Sequence, residues 1–341
     1  MNILLSFLFI SISLLVQISN YEQSDSLFSL LLDKVRKDVI KSSLLNLSKN
    51  KNSNLMEMIK LIVKEKINNN LTDVEGAFLV YEWIAENIKI DCMHYYEEKE
   101  SLDSFEYLEY IVHRGRGSVT RISTLFYMIC SIMKIDSGYI DGYTKIYRTL
   151  PGENYQYTEI QHIWNFILIN DTKYLIDASL GTGYCDITDT TINFKKAHTY
   201  LYFGTKPEIL IKMNFPKNEE FQMLEKKITK NEWDNWAFRT RFFYTYGLIN
   251  LEPDKEVFEP IKDKFTIKYD TSNSDIGVGG NFVYESINFY GVTNGEFIEI
   301  SFSEKKKYIF NYERVEIYVG TKEDPWQHLA FILSSLPYPD Y

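Results

Sequence analysis

The segment from Ser118 to Met133 constrains this chain more than any other. Val119, Ile122, Phe126, Ile129 and Met133 recur at helical spacing, and Leu125 and Ile132 widen that stripe to most of the circumference. A helix apolar on so many sides must be enclosed, so the fold needs other elements to wrap it. Gly117 marks the turn before the helix, and Ser118 is the expected N-cap. After Gly138 the pattern changes to short strand-like runs, "GYIDGYTKIY", "EIQHIWNFILIN" and "KYLIDASL". A buried helix followed by such strands fits an α+β fold.

Two of those strands carry the residues with chemical interest. They are joined by Asn170-Asp171, a dipeptide suited to a two-residue hairpin turn. That turn sets Ile169 opposite Thr172, Trp164 opposite Asp177 and His162 opposite Ser179. Side chains alternate along a strand, so His162 and Asp177 become diagonal neighbours on one face. A carboxylate beside an imidazole orients it and raises its basicity, as a cysteine or serine hydrolase requires of its base. From these two residues alone, a structural histidine held in a sheet is the commoner arrangement. A three-residue turn would put them on opposite faces.

The rest of the chain organises around this core. Residues 21–58 read as a polar helical region, with "SLFSLLLDKV" as an amphipathic start and "NLSKNKNSN" as a break. Val74, Ala77, Phe78, Tyr81, Ile84, Ala85 and Ile88 predict a second buried helix after Thr72-Asp73. The segment "ITKNEWDNWAFRTRFFYTYG" reads as helical. From about Asp263 the runs "KFTIKYD", "NFVYESINFYGV", "EFIEISFS", "KYIFNYERVEIYVG" and "HLAFILS" predict an all-β module of sandwich type. The glycine-rich "DIGVGG" inside it reads as a loop, since no helix follows to make a phosphate cradle. The charge run Glu97–Glu100 reads as a solvated face, Trp83 and Trp164 read as core, and His94 and His113 fit no metal spacing. The expected division is a signal peptide at 1–20, a helical region at 21–58, the catalytic-type domain at 59–240 and a β module at 241–341.

Ile3 to Val16 is a mostly apolar run, too short for an ordinary bilayer span and suited to the core of a signal peptide. Secretion would make three sequons usable, at Asn46, Asn70 and Asn170. After signal removal no segment is apolar enough to span a membrane. The formal net charge of −10 argues against a nucleic-acid backbone or an anionic membrane as the main partner. The cysteines, Cys92, Cys130 and Cys185, match no zinc pattern and leave at least one thiol unpaired within the chain. Neither a metal nor a cofactor is expected.

Four blocks of this sequence resemble the transglutaminase-like superfamily, and its kyphoscoliosis-peptidase branch in particular. They are "EWIAENIKID" (Glu82 to Asp91), "HIWN" (His162 to Asn165), "KYLIDASLGTG" (Lys173 to Gly183) and the stretch from Tyr202 to Trp233, in that order. The resemblance covers about residues 75–235. It implies a papain-like core, in which a helix bearing a cysteine at its N-terminus packs on an antiparallel sheet bearing His and Asp. His162 and Asp177 fall on the base and its orienting acid. The family's nucleophile block reads roughly Gly-Val-Cys-x-Gly-Tyr-x-x-Leu-Phe. Laid on Gly117–Phe126, it sets Val119 where the cysteine stands and Arg121 where a glycine stands.

Valine has no lone pair and forms no acyl intermediate. Ser118 and Thr120 are each turned about 100° away on the helix, and Ser118 is committed to capping. Cys130 is nearly in phase with Val119 but lies roughly 16 Å further along the axis. Cys92 or Cys185 would need a fold-back to reach His162. The expectation is a secreted or lumenal pseudoenzyme that binds a protein or peptide through the old substrate groove. The alternatives are an active cysteine-type peptidase or acyltransferase with a displaced nucleophile, or a purely structural scaffold.

Overall fold

The computed structural model describes residues 27–49, 54–96, 105–146, 158–187, 191–252 and 254, and the strand segments 257–258, 264–269, 276–282, 287–290, 292–294, 297–301, 314–321 and 328–335. The expected signal segment and the Glu97–Glu100 run lie outside these residues. By its contacts the chain divides into two units, Phe28–Lys227 and a second that includes Ile228–Tyr341.

In the first unit, helices α1 (Lys37–Ser48), α2 (Leu55–Asn68) and α3 (Asp73–Asn87) come first. Thr72 caps α3 in a capping box with Glu75, which settles two of the free amides at that helix start. The carboxylate of Glu75 also receives Arg36, with Nε at 2.5 Å and Nη2 at 2.7 Å. That pairing ties the chain ahead of α1 into the same unit as α3. Short strand β1 (Lys89–Ile90) follows, then α4 (Phe105–Arg114) and β2 (Arg116–Gly117), which runs parallel to β1.

Helix α5 (Val119–Ile132) is the predicted central helix, capped by Ser118, whose hydroxyl accepts the Arg121 N–H at 3.2 Å. Val119, Ile122, Leu125, Phe126 and Ile129 all have zero exposure. The helix packs on β3 (Ser137–Ile146) and β4 (Thr158–Ile169). Two polar contacts fix this seat: Ser123 Oγ donates to the Ile163 carbonyl at 3.0 Å, and Asn165 Nδ2 donates to the Ser123 carbonyl at 3.0 Å.

The sheet is antiparallel and five-stranded, in the order β8-β5-β4-β3-β9, with β5 at Thr172–Ile176, β8 at Phe203–Thr205 and β9 at Asn214–Pro216. The hairpin register is as predicted, from Ile169 opposite Thr172 to Asn165 opposite Ile176. Asn170 and Asp171 both take left-handed φ, 50° and 60°, as a type I′ turn requires. The strand ends sooner than expected, however. Asp177 N-caps a short helix α6 (Ala178–Thr182), so Ser179 lies in that helix and not in a strand facing His162. An Asp ahead of Ala-Ser-Leu offers its carboxylate to the next turn's amides, and that capping overrides the strand pattern. A hairpin of β6 (Gly183–Ile187) and β7 (Ile192–Lys196) completes the region.

Other expectations need correction. The stretch "SLFSLLLDKV" is not one helix: Ser29 bridges Thr205 at the sheet edge, with its hydroxyl on the Phe203 carbonyl, and only Leu32–Lys34 form a 3-10 turn.

The second unit begins with α7 (Lys230–Asp234), β10 (Phe238–Arg239) and α8 (Arg241–Thr245), so the helix expected across Ile228–Gly247 is broken by a strand. Its remaining strands form two sheets. One has the order β10-β19-β18-β14-β15, with β12 also pairing β19, and the other β11-β13-β17-β16, where β11 is Leu248–Glu252, β12 Val257–Phe258, β13 Lys264–Tyr269, β14 Ile276–Phe282, β15 Ile287–Tyr290, β16 Val292–Asn294, β17 Phe297–Ser301, β18 Arg314–Thr321 and β19 His328–Ser335. Leu251, Ile267, Val278, Ile298, Ile317 and Val319 are buried. The glycine-rich run expected as a loop is strand β14, whose bare backbone pairs with β18 on one side and β15 on the other.

Candidate active site

His162 and Asp177 meet. The imidazole Nε2 lies 2.6 Å from Asp177 Oδ2, and both side chains have zero exposure. The hairpin turn makes them neighbours, and the cap of α6 aims the carboxylate. Asp177 Oδ1 accepts Ser179 Oγ at 2.8 Å and the Leu180 N–H at 2.9 Å, while Oδ2 also accepts Asn214 Nδ2 at 3.1 Å. Burial opposes ionisation of this carboxyl, but the facing imidazole and the Leu180 and Ser179 donors outweigh it and hold its pKa below the usual Asp value. An ionised Asp177 only accepts, so the proton between the two sits on Nε2. That leaves Nδ1 of a neutral ring as an acceptor.

Nδ1 faces a residue that the sequence did not single out. The Tyr95 hydroxyl stands 3.5 Å from it, at the limit of hydrogen-bonding range, with the two rings 5.9 Å apart. Burial, and then the charge of Asp177, raise the Tyr95 phenol well above its ordinary pKa, so it stays protonated and donates. Among the described residues, Asp177 and Tyr95 are the partners of the two ring nitrogens.

Val119 stands at the first position of α5 with no exposure. Its backbone N–H, which at a bare helix start would be available to an anion, donates to the Tyr95 carbonyl at 2.8 Å. Tyr95 therefore engages both the head of α5 and the imidazole, the first with its carbonyl and the second with its hydroxyl. Ser118 is spent as the cap, and Thr120 is fully buried in α5. Cys92 and Cys185 are bonded to each other, which removes both as nucleophiles in this state. Cys130 is a free, fully buried thiol whose pKa burial pushes up, the opposite of activation.

Helix and sheet are thus in the arrangement that the resemblance implied, with His162 and Asp177 side by side. Residues 61–176 match the family model of the transglutaminase-like superfamily, a span that includes Val119 and His162 and stops one residue short of Asp177. The chain carries a transglutaminase-like domain over those residues. It is 23% identical to kyphoscoliosis peptidase of Mus musculus over 215 residues, which is 63% of this chain and 31% of that protein. The human kyphoscoliosis peptidase is 21% identical over 206 residues, covering 60% of this chain and 30% of the relative. Hillarin of Drosophila melanogaster is 24% identical over 201 residues, covering 55% and 23%. These relatives support the kyphoscoliosis-peptidase-like branch, and the match spans less than a third of the length of each.

The remaining predicted positions are scattered. Asn46 lies on α1, Asn70 in the turn before α3 and Asn170 in the hairpin turn, all exposed. Trp83 and Trp164 are buried, Trp164 stacking on His162 at 6.0 Å between centroids. His94 sits on the exposed side of its turn, and His113 lies in the last turn of α4. Among the described residues no helix is long and apolar enough to cross a membrane. Tyr95, Ser179 and Asn214 are the site residues that sequence reasoning missed. The Asp-Ala-Ser-Leu capping pattern could have revealed Ser179, but the segment around Tyr95 has no periodic signal.

Proposed function

We propose that this chain is a secreted, catalytically silent transglutaminase-like protein that acts by binding a protein or peptide. The observation that carries this reading is Val119, an inert side chain at the head of α5 where the chemistry needs a thiolate. The His162–Asp177 pair remains, but the two groups beside it that would serve an acyl transfer are taken up by Tyr95. A displaced cysteine nucleophile finds no support, since Cys92 and Cys185 are joined and Cys130 is buried. The disulfide, the apolar amino-terminal run and the exposed sequons favour an oxidising, secretory setting. A scaffold role has one observation in its favour: both residues of the pair have zero exposure, as framework groups do. Recognition then falls to the surface around the old groove, outside the imidazole itself.

The decisive assay measures amine incorporation and peptide hydrolysis by the purified full chain, with and without iodoacetamide. No turnover is expected. Turnover that disappears in His162→Ala would end the silent reading. Selection of peptide ligands from a displayed library, followed by calorimetry, separates binding from scaffold. Ligands whose affinity falls on substitution around the groove support binding, and an empty selection supports the scaffold.

A further inference from the structure

The segment Asp91–Tyr96 crosses the site as a strap. Of its six residues only Asp91 is buried, while Met93 and His94 are exposed at 68% and 75% and the rest are half-buried. Apart from the ring of Tyr95, such a segment has little apolar burial of its own and belongs to the easily opened part of a fold. Three of its attachments bear on the site. The Asp91 N–H donates to the Gly117 carbonyl at 2.8 Å, and the Tyr95 carbonyl takes the Val119 N–H at 2.8 Å. The third is the Cys92–Cys185 bond, which ties the strap to β6 across 93 residues of sequence. Cys185 follows closely on α6, the helix that Asp177 caps, so the disulfide joins the piece covering the imidazole to the piece aiming its acid. The 3-10 turn at Cys92–His94 also lies against β7.

We infer that this disulfide is a redox latch over the His162–Asp177 pair. Both sulfur-bearing residues are half-buried and so within reach of a small reductant. A dithiol opens the bond by exchange. Its first thiolate attacks one sulfur and forms a mixed disulfide, and its second displaces the protein thiol. The dithiol leaves as its own disulfide, and Cys92 and Cys185 take two electrons and two protons as thiols. The strap then loses its covalent tie to β6 and is held by non-covalent contacts alone, among them its two backbone hydrogen bonds and the side chain of Tyr95. It lifts from α5, the Tyr95 hydroxyl leaves Nδ1, and the Val119 N–H and the imidazole become accessible. The latch is a property of the cover and goes beyond the question of turnover, since it works whether or not a nucleophile is present.

The test uses the full chain, oxidised or treated with a phosphine reductant, with thiol counts by alkylation and mass spectrometry. The readouts are the rate of carbethoxylation of His162 by diethyl pyrocarbonate and amide hydrogen exchange resolved to segments. Reduction is expected to raise the His162 rate roughly tenfold or more, the scale of a local opening. Exchange at 91–96 and at Val119 should rise too, while β4 and the rest of α5 stay protected. The Cys92→Ser, Cys185→Ser double variant should behave like the reduced chain without reductant. If that variant does not fold, the reductant series on the wild type carries the test. Three results overturn the latch: an unchanged His162 rate once both thiols are free, loss of protection throughout Phe28–Lys227, or free thiols at Cys92 and Cys185 in the untreated protein.

Discussion

The carbonyl of Tyr95 accepts the backbone N–H of Val119 at 2.8 Å, so the head of α5 is closed by a residue from a different segment of the chain. Val119→Cys would set a thiol at a helix start, which favours the thiolate. Access is the obstacle, because the position has zero exposure. In the oxidised protein the new thiol should react slowly with iodoacetamide at neutral pH. Adding Tyr95→Ala should speed it by roughly tenfold or more, as expected when local covering contacts are removed. Equal rates for the single and double variants would mean that Tyr95 is no cover.

Asp177 stays charged because four donors surround it, and that makes the first unit sensitive to acid. Its depressed pKa gives stability that is complete above the ordinary carboxylate value and is lost as pH falls through the folded value. Asp177→Asn should cost about 2–4 kcal/mol at neutral pH, by leaving buried partners imperfectly satisfied. The gap to wild type should narrow below about pH 4, where an ordinary Asp begins to protonate. Urea titrations at neutral and acid pH measure it, and a gap that does not change with pH would show that charge is not the cause.

Glu75 offers the same logic at the start of α3. The hydrogen bond from Arg36 pulls its carboxyl down from 4.5 to about 2, against burial and with help from the Thr72 and Arg36 amides. This stability is fully present above pH 4.5 and is lost between there and about 2. Glu75→Gln should cost roughly 1–3 kcal/mol at neutral pH, since it weakens the cap and removes a charged acceptor. Arg36→Gln should cost less and lose its effect in concentrated salt, because half of the Arg36 side chain is exposed. Thermal unfolding in low and high salt checks both.

Gly142 pairs with His162 across β3 and β4. A Cβ there would run into the Phe215 carbonyl and approach the Trp164 ring at 2.5 Å. Neither can yield, one being backbone and the other a packed indole. Gly142→Ala should therefore cost about 1–3 kcal/mol, the range for overpacking a filled interior. A urea midpoint equal to that of wild type would show that the strand can give way.

Much of the site could be read in the sequence because its signals are local. Ser118 announces the start of α5, the apolar stripe announces its burial, and Asn170-Asp171 sets the register that joins His162 to Asp177. The overlong strand at Lys173–Leu180 was a conflict between two local rules, and the cap at Asp177 won over alternation. Tyr95 was illegible for another reason. It lies in a segment without period, seated by the parallel β1–β2 pair and by a disulfide to a distant strand. Asn214 reaches Asp177 only because β9 lands on the edge of β3. Such placements come from tertiary assembly and leave no trace in nearby residues.

The two-residue turn at Asn170-Asp171 has a consequence for the order of events in folding. It leaves the imidazole and the carboxylate only 15 positions apart, so closing that loop costs little entropy, and a single hairpin is expected to bring acid and base near each other early. Position 119 arrives from a separate segment and adds nothing to that early step. A substitution at position 119 should therefore leave the His162–Asp177 pair free to assemble, because the hairpin does not include that position.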